Sequence, residues 1–238
     1  MGISLSTARW AAPAAYGINF VAQIIGMKYM KPNMLDIHNL RYAAFSPYAF
    51  AIPLFFSGQQ LLQCTWIYRL WKRDVGAPER QAALEYAPTF ILGNLCIAAW
   101  LVFWNKNQLA ASQVFVTINS LAQVYHCAFK LPKRTQATNL TYWTAKTFAG
   151  IGLLDFVHNL SAAFFTNIPP SPLIKLTTGL LAFAGVAASD WILGACIAYD
   201  LAALAVGQEG QWRAWLGLYA AGAAVWSAIK RRGVGAYS

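Results

Sequence analysis

Charge is scarce in this chain. Only 11% of its residues are Asp, Glu, Lys or Arg, against about 25% in an ordinary soluble domain. No stretch is polar enough to stand as a separate soluble unit. Acidic groups are scarcest, with 8 against 18 Lys and Arg, leaving a net charge of +10. The excess does not form a face that could track nucleic acid, so a nucleic-acid partner is excluded. It collects between apolar runs as Arg69/Lys72/Arg73/Arg80, Lys130/Lys133/Arg134 and Lys230/Arg231/Arg232, the pattern of positive-inside loops. The four cysteines, Cys64, Cys96, Cys127 and Cys196, stand alone in apolar runs. Without a CxxC pair or zinc spacing they read as buried free thiols. P-loop, HExxH, GxSxG and DDxxD signatures are missing, and no cofactor or metal is expected. The last apolar run lacks the mid-span lysine of a retinal protein. Arg-rich voltage-sensor spacing and a repeated filter loop are also missing. The first apolar run has no basic segment before it and leads into more membrane, so no cleavable signal is expected. Gly2 and Ser6 fit the loose myristoylation pattern, which reads as coincidence in a chain with several spans.

What is present is apolar. Hydrophobic residues make up 58% of the chain and mean hydropathy is +0.43. The expected fold is all-α, a polytopic transmembrane helical bundle forming one integral membrane domain over 1–238. A span needs roughly 17–25 apolar residues. Candidates are Arg9–Met27, weakened by Pro13, Gly17 and Asn19; Pro47–Leu70; Leu84–Trp104; Leu109–Phe129; and Tyr142–Thr166, which the Pro169/Pro170/Pro172 cluster ends. The run Leu173–Gly207 would be about 52 Å long as one helix, too long for a single hydrocarbon core and short for two. Asp190, beside Ser189 and Trp191, is where it would turn. The last span is Trp212–Ile229. Eight spans put 12 basic residues on one side and 6 on the other, whereas seven spans give 10 against 8. The positive-inside rule prefers the sharper split, with both termini cytoplasmic; seven spans with one long tilted helix is the alternative. An internal membrane such as the endoplasmic reticulum is the expected location.

The polar residues inside these spans are the candidates for chemistry. Asp155, His158 and Asn159 lie at i, i+3 and i+4, so a helix puts them on one face. Charge is expensive in lipid, so that face should point into the bundle. Asp155 then reads as a general acid or base with His158 as its partner, or the pair is interhelical glue. Asp200 is a second intramembrane carboxylate, and Asp190 is either a helix cap or a functional group. Gln59, Gln63, Asn94, Asn119, Gln123 and His126 form an amide-rich set on the second to fourth spans. Gln59/Gln63 and Asn119/Gln123 are i,i+4 pairs that either fasten helices or line a shared pocket with Asn159. Trp100 is a mid-span aromatic whose face could stabilise a cationic intermediate. Trp71, Trp104, Trp143, Trp212 and Trp215 mark span ends. The sequons Asn139-Leu-Thr141 and Asn159-Leu-Ser161 fall on the cytoplasmic side and inside a span, so neither should be glycosylated.

The segments FSPYAFAIPLFFSGQQLLQCTWIYRLW, PTFILGNLCIAAWLVFWNKNQLAASQVFV and KTFAGIGLLDFVHNLSAAFF resemble fungal multi-spanning membrane proteins of uncharacterised type. More remotely, the chain is similar to the tryptophan-rich sensory (TspO-related) proteins. It shares a Ser-Pro entry to the second span, Gly93, Asn94 and Trp100 in the third, and Trp residues leading into the last. The proline-rich and tryptophan motifs of true members are not reproduced, so that family's ligands are not carried onto named positions. In kind only, the chain is similar to fungal membrane-bound terpene cyclases, small all-helical proteins that use intramembrane carboxylates as acids. The resulting expectation is a membrane-embedded biosynthetic enzyme for a lipophilic small molecule, working by cofactor-independent cyclisation or isomerisation. The alternatives are a lipophile binder or sensor without catalysis, and a subunit that needs a membrane-protein partner.

Overall fold

The computed structural model describes residues 3–235; Gly2, the myristoylation position, lies outside them. Within that range the chain is all-α. Its nine helices are α1 (Leu5–Ile24), α2 (Met34–Leu40), α3 (Ala51–Trp71), α4 (Ala77–Asn105), α5 (Leu109–Phe129), α6 (Asn139–Phe164), α7 (Pro172–Ala188), α8 (Trp191–Gly207) and α9 (Gly210–Gly235). A π-helical turn, Ile25–Tyr29, extends α1. The described residues contain no strand, only an isolated bridge between Ala43 and Thr166.

The punctuation follows local chemistry. Asn33 opens α2 with a capping box, its Oδ1 accepting from Leu35 and Asp36 while Asp36 accepts from the Asn33 backbone. The expected loop Lys72–Arg80 is shorter than its charges suggest. Gly76 caps α4 and Pro78 sits in its first turn, where the missing N–H costs nothing, so the helix starts seven residues before Leu84. Ser171 and Pro172 start α7 in the same way. The run Leu173–Gly207 is two helices. Asp190 ends the first and caps the second, its Oδ1 accepting from Leu193 N at 2.9 Å.

Helix α6 lies at the centre, packed against α3, α4, α5 and α8, while α4 carries α1 on its other side. Helices α8 and α9 form a tight hairpin, with α7 leaning on both. Helices α6 and α8 approach closely at Gly150, where an added Cβ would meet the Cβ and Sγ of Cys196. The α2–α3 connection is tied across the α8–α9 turn. Tyr48 N donates to Ala203 O at 2.8 Å, Tyr42 OH to Gly207 O at 2.6 Å and Trp212 Nε1 to Ala44 O at 2.6 Å.

The core is mainly apolar but is threaded by buried Asn, Gln, Asp and His side chains, while Leu54, Leu61, Leu121, Leu181, Leu218 and Val225 are each more than 60% exposed. Among the described residues one helix, α4, is long and apolar enough by composition to cross a membrane, with a mean hydropathy of 1.7. Helices α7 and α8 are apolar but have 17 residues each.

Candidate functional site

Most of the interior amides are fasteners. Asn19 Nδ2 donates to Asn94 Oδ1 at 2.8 Å and Asn94 Nδ2 donates to Gln63 Oε1 at 3.1 Å, a chain joining α1, α4 and α3. Gln59 ties α3 to α6, donating to Thr144 O at 3.2 Å and accepting from the Thr147 hydroxyl. Gln123 accepts from Tyr86 OH at 3.0 Å, joining α5 to α4. His126 Nδ1 meets Thr89 Oγ1 at 3.3 Å. Asn119 is fully buried between Gly93 and Gly152, with neither amide atom hydrogen-bonded.

Asp155, His158 and Asn159 do face inward from α6, at 2%, 3% and 0% exposure. They do not act as one group. Asn159 is saturated by protein. Its Oδ1 accepts from Trp100 Nε1 at 3.0 Å and Ser112 Oγ at 2.6 Å, and its Nδ2 donates to Gln113 Oε1 at 2.7 Å and Leu109 O at 3.2 Å. Trp100 is therefore held at its polar edge and packs on Trp104, with centroids 5.5 Å apart. The expected Asp155–His158 hydrogen bond is not formed. His158 Nε2 instead faces His38 Nδ1 of α2 at 3.3 Å, and its ring lies against Trp104 at 5.3 Å. His158 Nδ1, beside the Phe45 backbone, makes no hydrogen bond of good geometry. Burial pushes the His38 imidazole below its ordinary range.

Asp155 instead has Asp200 for company. The two carboxyls lie within electrostatic reach of each other. Asp155 comes five residues after Gly150 and Asp200 four after Cys196, so they stand at one level, just past the α6–α8 contact. Asp155 Oδ2 and Asp200 Oδ1 are buried without hydrogen-bond partners.

Asp200 also lines a cavity of about 1020 Å³ between α5, α6, α7 and α8, at the top of the size range of small-molecule sites. The wall is largely aliphatic and aromatic, including Leu154, Val157, Leu181 and Ile197. One end lies at Ser161, Phe165 and Pro169, the other at Ser189 and Lys146. Of the expected site residues, Asp200 alone reaches this wall. Lys146 was missed as a site residue because its place near a span end made it look like a loop charge. Its signal was its spacing, four residues before Gly150 on the same buried face. Among the described residues no three His, Cys, Asp or Glu side chains are grouped to hold a metal ion. No family model, curated protein or solved structure matches the chain.

Proposed function

We propose that the chain is an eight-span integral membrane protein with both termini cytoplasmic, which takes a lipophilic small molecule into the α5–α8 cavity. There Asp200, seconded by Asp155, performs acid–base chemistry of the isomerisation or cyclisation type without a cofactor. The membrane reading is supported by the exposed leucines and buried amides, an arrangement that suits lipid outside and protein hydrogen bonds within. Eight helices of 17 to 29 residues support the span count. An internal membrane, and the distant likeness to tryptophan-rich sensory proteins, belong to the same proposal.

The observation that carries the catalytic reading is Asp200, a buried carboxyl with an unpartnered oxygen in the wall of an apolar cavity, within electrostatic reach of a second carboxyl. Asp200 delivers a proton to a double bond or carbonyl and, once ionised, removes a proton from a neighbouring carbon, so no oxidant or reductant is needed. Asp155, within electrostatic reach, disfavours ionisation of both carboxyls at once. His158 supports α6 from the His38 side and takes no proton in this scheme.

The test uses the chain in nanodiscs, incubated in D2O with a lipid extract of its own host. A protonation–deprotonation cycle leaves deuterium on a carbon of one lipid class, read by mass spectrometry. Asp200→Asn should abolish the incorporation while the protein keeps its thermal transition. Undiminished incorporation in that variant would sink the assignment. The cavity on its own also favours a second reading, binding without turnover. In that case wild-type protein incorporates no deuterium, yet a lipophile from the extract raises its unfolding temperature.

A further inference from the structure

The two ends of the α5–α8 cavity differ in kind. Lys146 marks one of them. It is 7% exposed and lines the cavity. Its only ionic partner among the described residues is Asp190 Oδ2, at 3.7 Å, and it makes no hydrogen bond there. That carboxylate is already engaged, accepting from Leu193 N at the start of α8 and from the Tyr142 hydroxyl. An ammonium has three donors, and burying them without close acceptors is costly. The surroundings add positive charge. The Arg134 and Arg231 guanidiniums lie 5.7 and 5.2 Å from the Trp191 ring centroid, and Lys230 donates to Ala187 O at 2.7 Å beside Ser189. The other end, at Phe165, Ile168 and Pro169, has no charged side chain in its wall.

We propose that the occupant is a single-chain amphiphile with an anionic head, a carboxylate or a phosphate. The head sits on Lys146 and the tail runs along α6 past Asp200. This rests on the cavity being the substrate site and adds the substrate class. Lys146 to Ser161 is fifteen residues of helix, about 22 Å. A zigzag of ~1.5 Å carbon–carbon bonds advances about 1.25 Å per carbon, so that length holds about 18 carbons. Asp155 lies nine residues beyond Lys146 and Asp200 ten beyond Asp190, which puts both carboxyls about 14–15 Å from the head. Asp200, in the wall, therefore faces the tail about eleven or twelve carbons from the charge, with Asp155 at the same level outside the wall, and the position that exchanges a proton is mid-chain.

Binding of tritiated oleate, lysophosphatidate and oleyl alcohol to the full chain in zwitterionic nanodiscs tests this. Wild-type protein should bind at least one of the two anions about tenfold more tightly than the alcohol, and whichever anion exceeds it identifies the head group. Lys146→Gln should erase that preference while leaving the affinity for the alcohol unchanged. Lys146→Arg should retain it, which guards against a folding defect in the first variant. Val157→Trp, at a half-buried position in the cavity wall, should weaken all three probes. Equal affinities in the wild type, or a preference that survives Lys146→Gln, would overturn the head-group inference and leave the cavity as a lipophile site. No binding of any probe would overturn both.

Discussion

Gly150→Ala adds one methyl group where α6 and α8 touch, and two opposing effects can be weighed. Alanine is favoured over glycine inside a helix by about 1 kcal/mol. Against this, the new Cβ would lie 2.8 Å from Cys196 Sγ and closer still to its Cβ. A Cβ cannot swing aside as a long side-chain tip can, so the helices themselves must separate. Overpacking of this kind costs roughly 1–3 kcal/mol, and with so rigid an obstacle the upper half of that range applies. The net expectation is a loss of about 1–2 kcal/mol, or a Tm lower by about 2–8 °C for a chain of this size. In a Cys196→Gly background the obstacle is gone and only the helix preference remains, so the same Gly150→Ala should stabilise by about 1 kcal/mol. The sign should therefore invert between backgrounds, with a coupling energy of about 2–3 kcal/mol. Thermal unfolding in nanodiscs, followed by tryptophan fluorescence, reads all four corners of the cycle. A rise in Tm for Gly150→Ala in the otherwise native chain would refute the close approach, and with it the level at which Asp155 and Asp200 meet.

Asn159→Ala removes four interhelical hydrogen bonds at once; at the average of about 0.6 kcal/mol for such bonds between membrane helices, the loss should reach about 2–3 kcal/mol in a thermal or denaturant titration. His38 should confer pH dependence. Burial favours its neutral form, so the unfolded chain binds more protons below pH 6.5, and the stability present above that value is lost as pH falls towards the lower folded pKa. Hydrogen exchange across α2 should accelerate on acidification in the wild type and not in His38→Phe; an unchanged wild-type profile would contradict this. Lys230→Met removes the cation that caps the carbonyls of Val186, Ala187 and Ser189 at the end of α7. It should cost about 1–2 kcal/mol, with faster amide exchange confined to the last turn of α7 and the Ser189–Asp190 corner.

The helical architecture could be read from apolar run lengths and punctuation because both are local. α5 coincides with the expected Leu109–Phe129, and Asp190 breaks the long run where its capping chemistry suggested. Helix α4 starts ahead of the expected Leu84 because apolarity marks only the span, whereas Gly76 and Pro78 are what determine the helix start. The inward direction of Asp155, His158 and Asn159 followed from helical periodicity. Their partners did not, because each is distant in sequence. His38 is 120 residues from His158, and Ser112 is 47 from Asn159. Asp155 and Asp200 are brought to one level by the Gly150–Cys196 contact, which no spacing within a single run reveals.

Residue type and helix face were therefore insufficient to separate a site from a fastening. Asn159 and Asp155 share a face of α6, yet one has every polar atom engaged and the other has an oxygen with no partner. A buried hydrogen bond left unmade costs more than a made one contributes. A polar group that remains unsatisfied in a close-packed interior thus points to an absent partner, or to strain kept for function. Asn119 is unsatisfied too, but it lies between helices, with Gly93 on one side and Gly152 on the other. Asp200 combines the unmade bond with a place in the wall of a cavity that a small molecule can fill. Lys146 lines the far end of the same cavity with the opposite charge, its ionic partner Asp190 standing off at 3.7 Å. A neutral lipophile would answer the aliphatic wall and leave Lys146 with Asp190 alone; an anionic amphiphile answers both, and its tail brings a mid-chain carbon to Asp200.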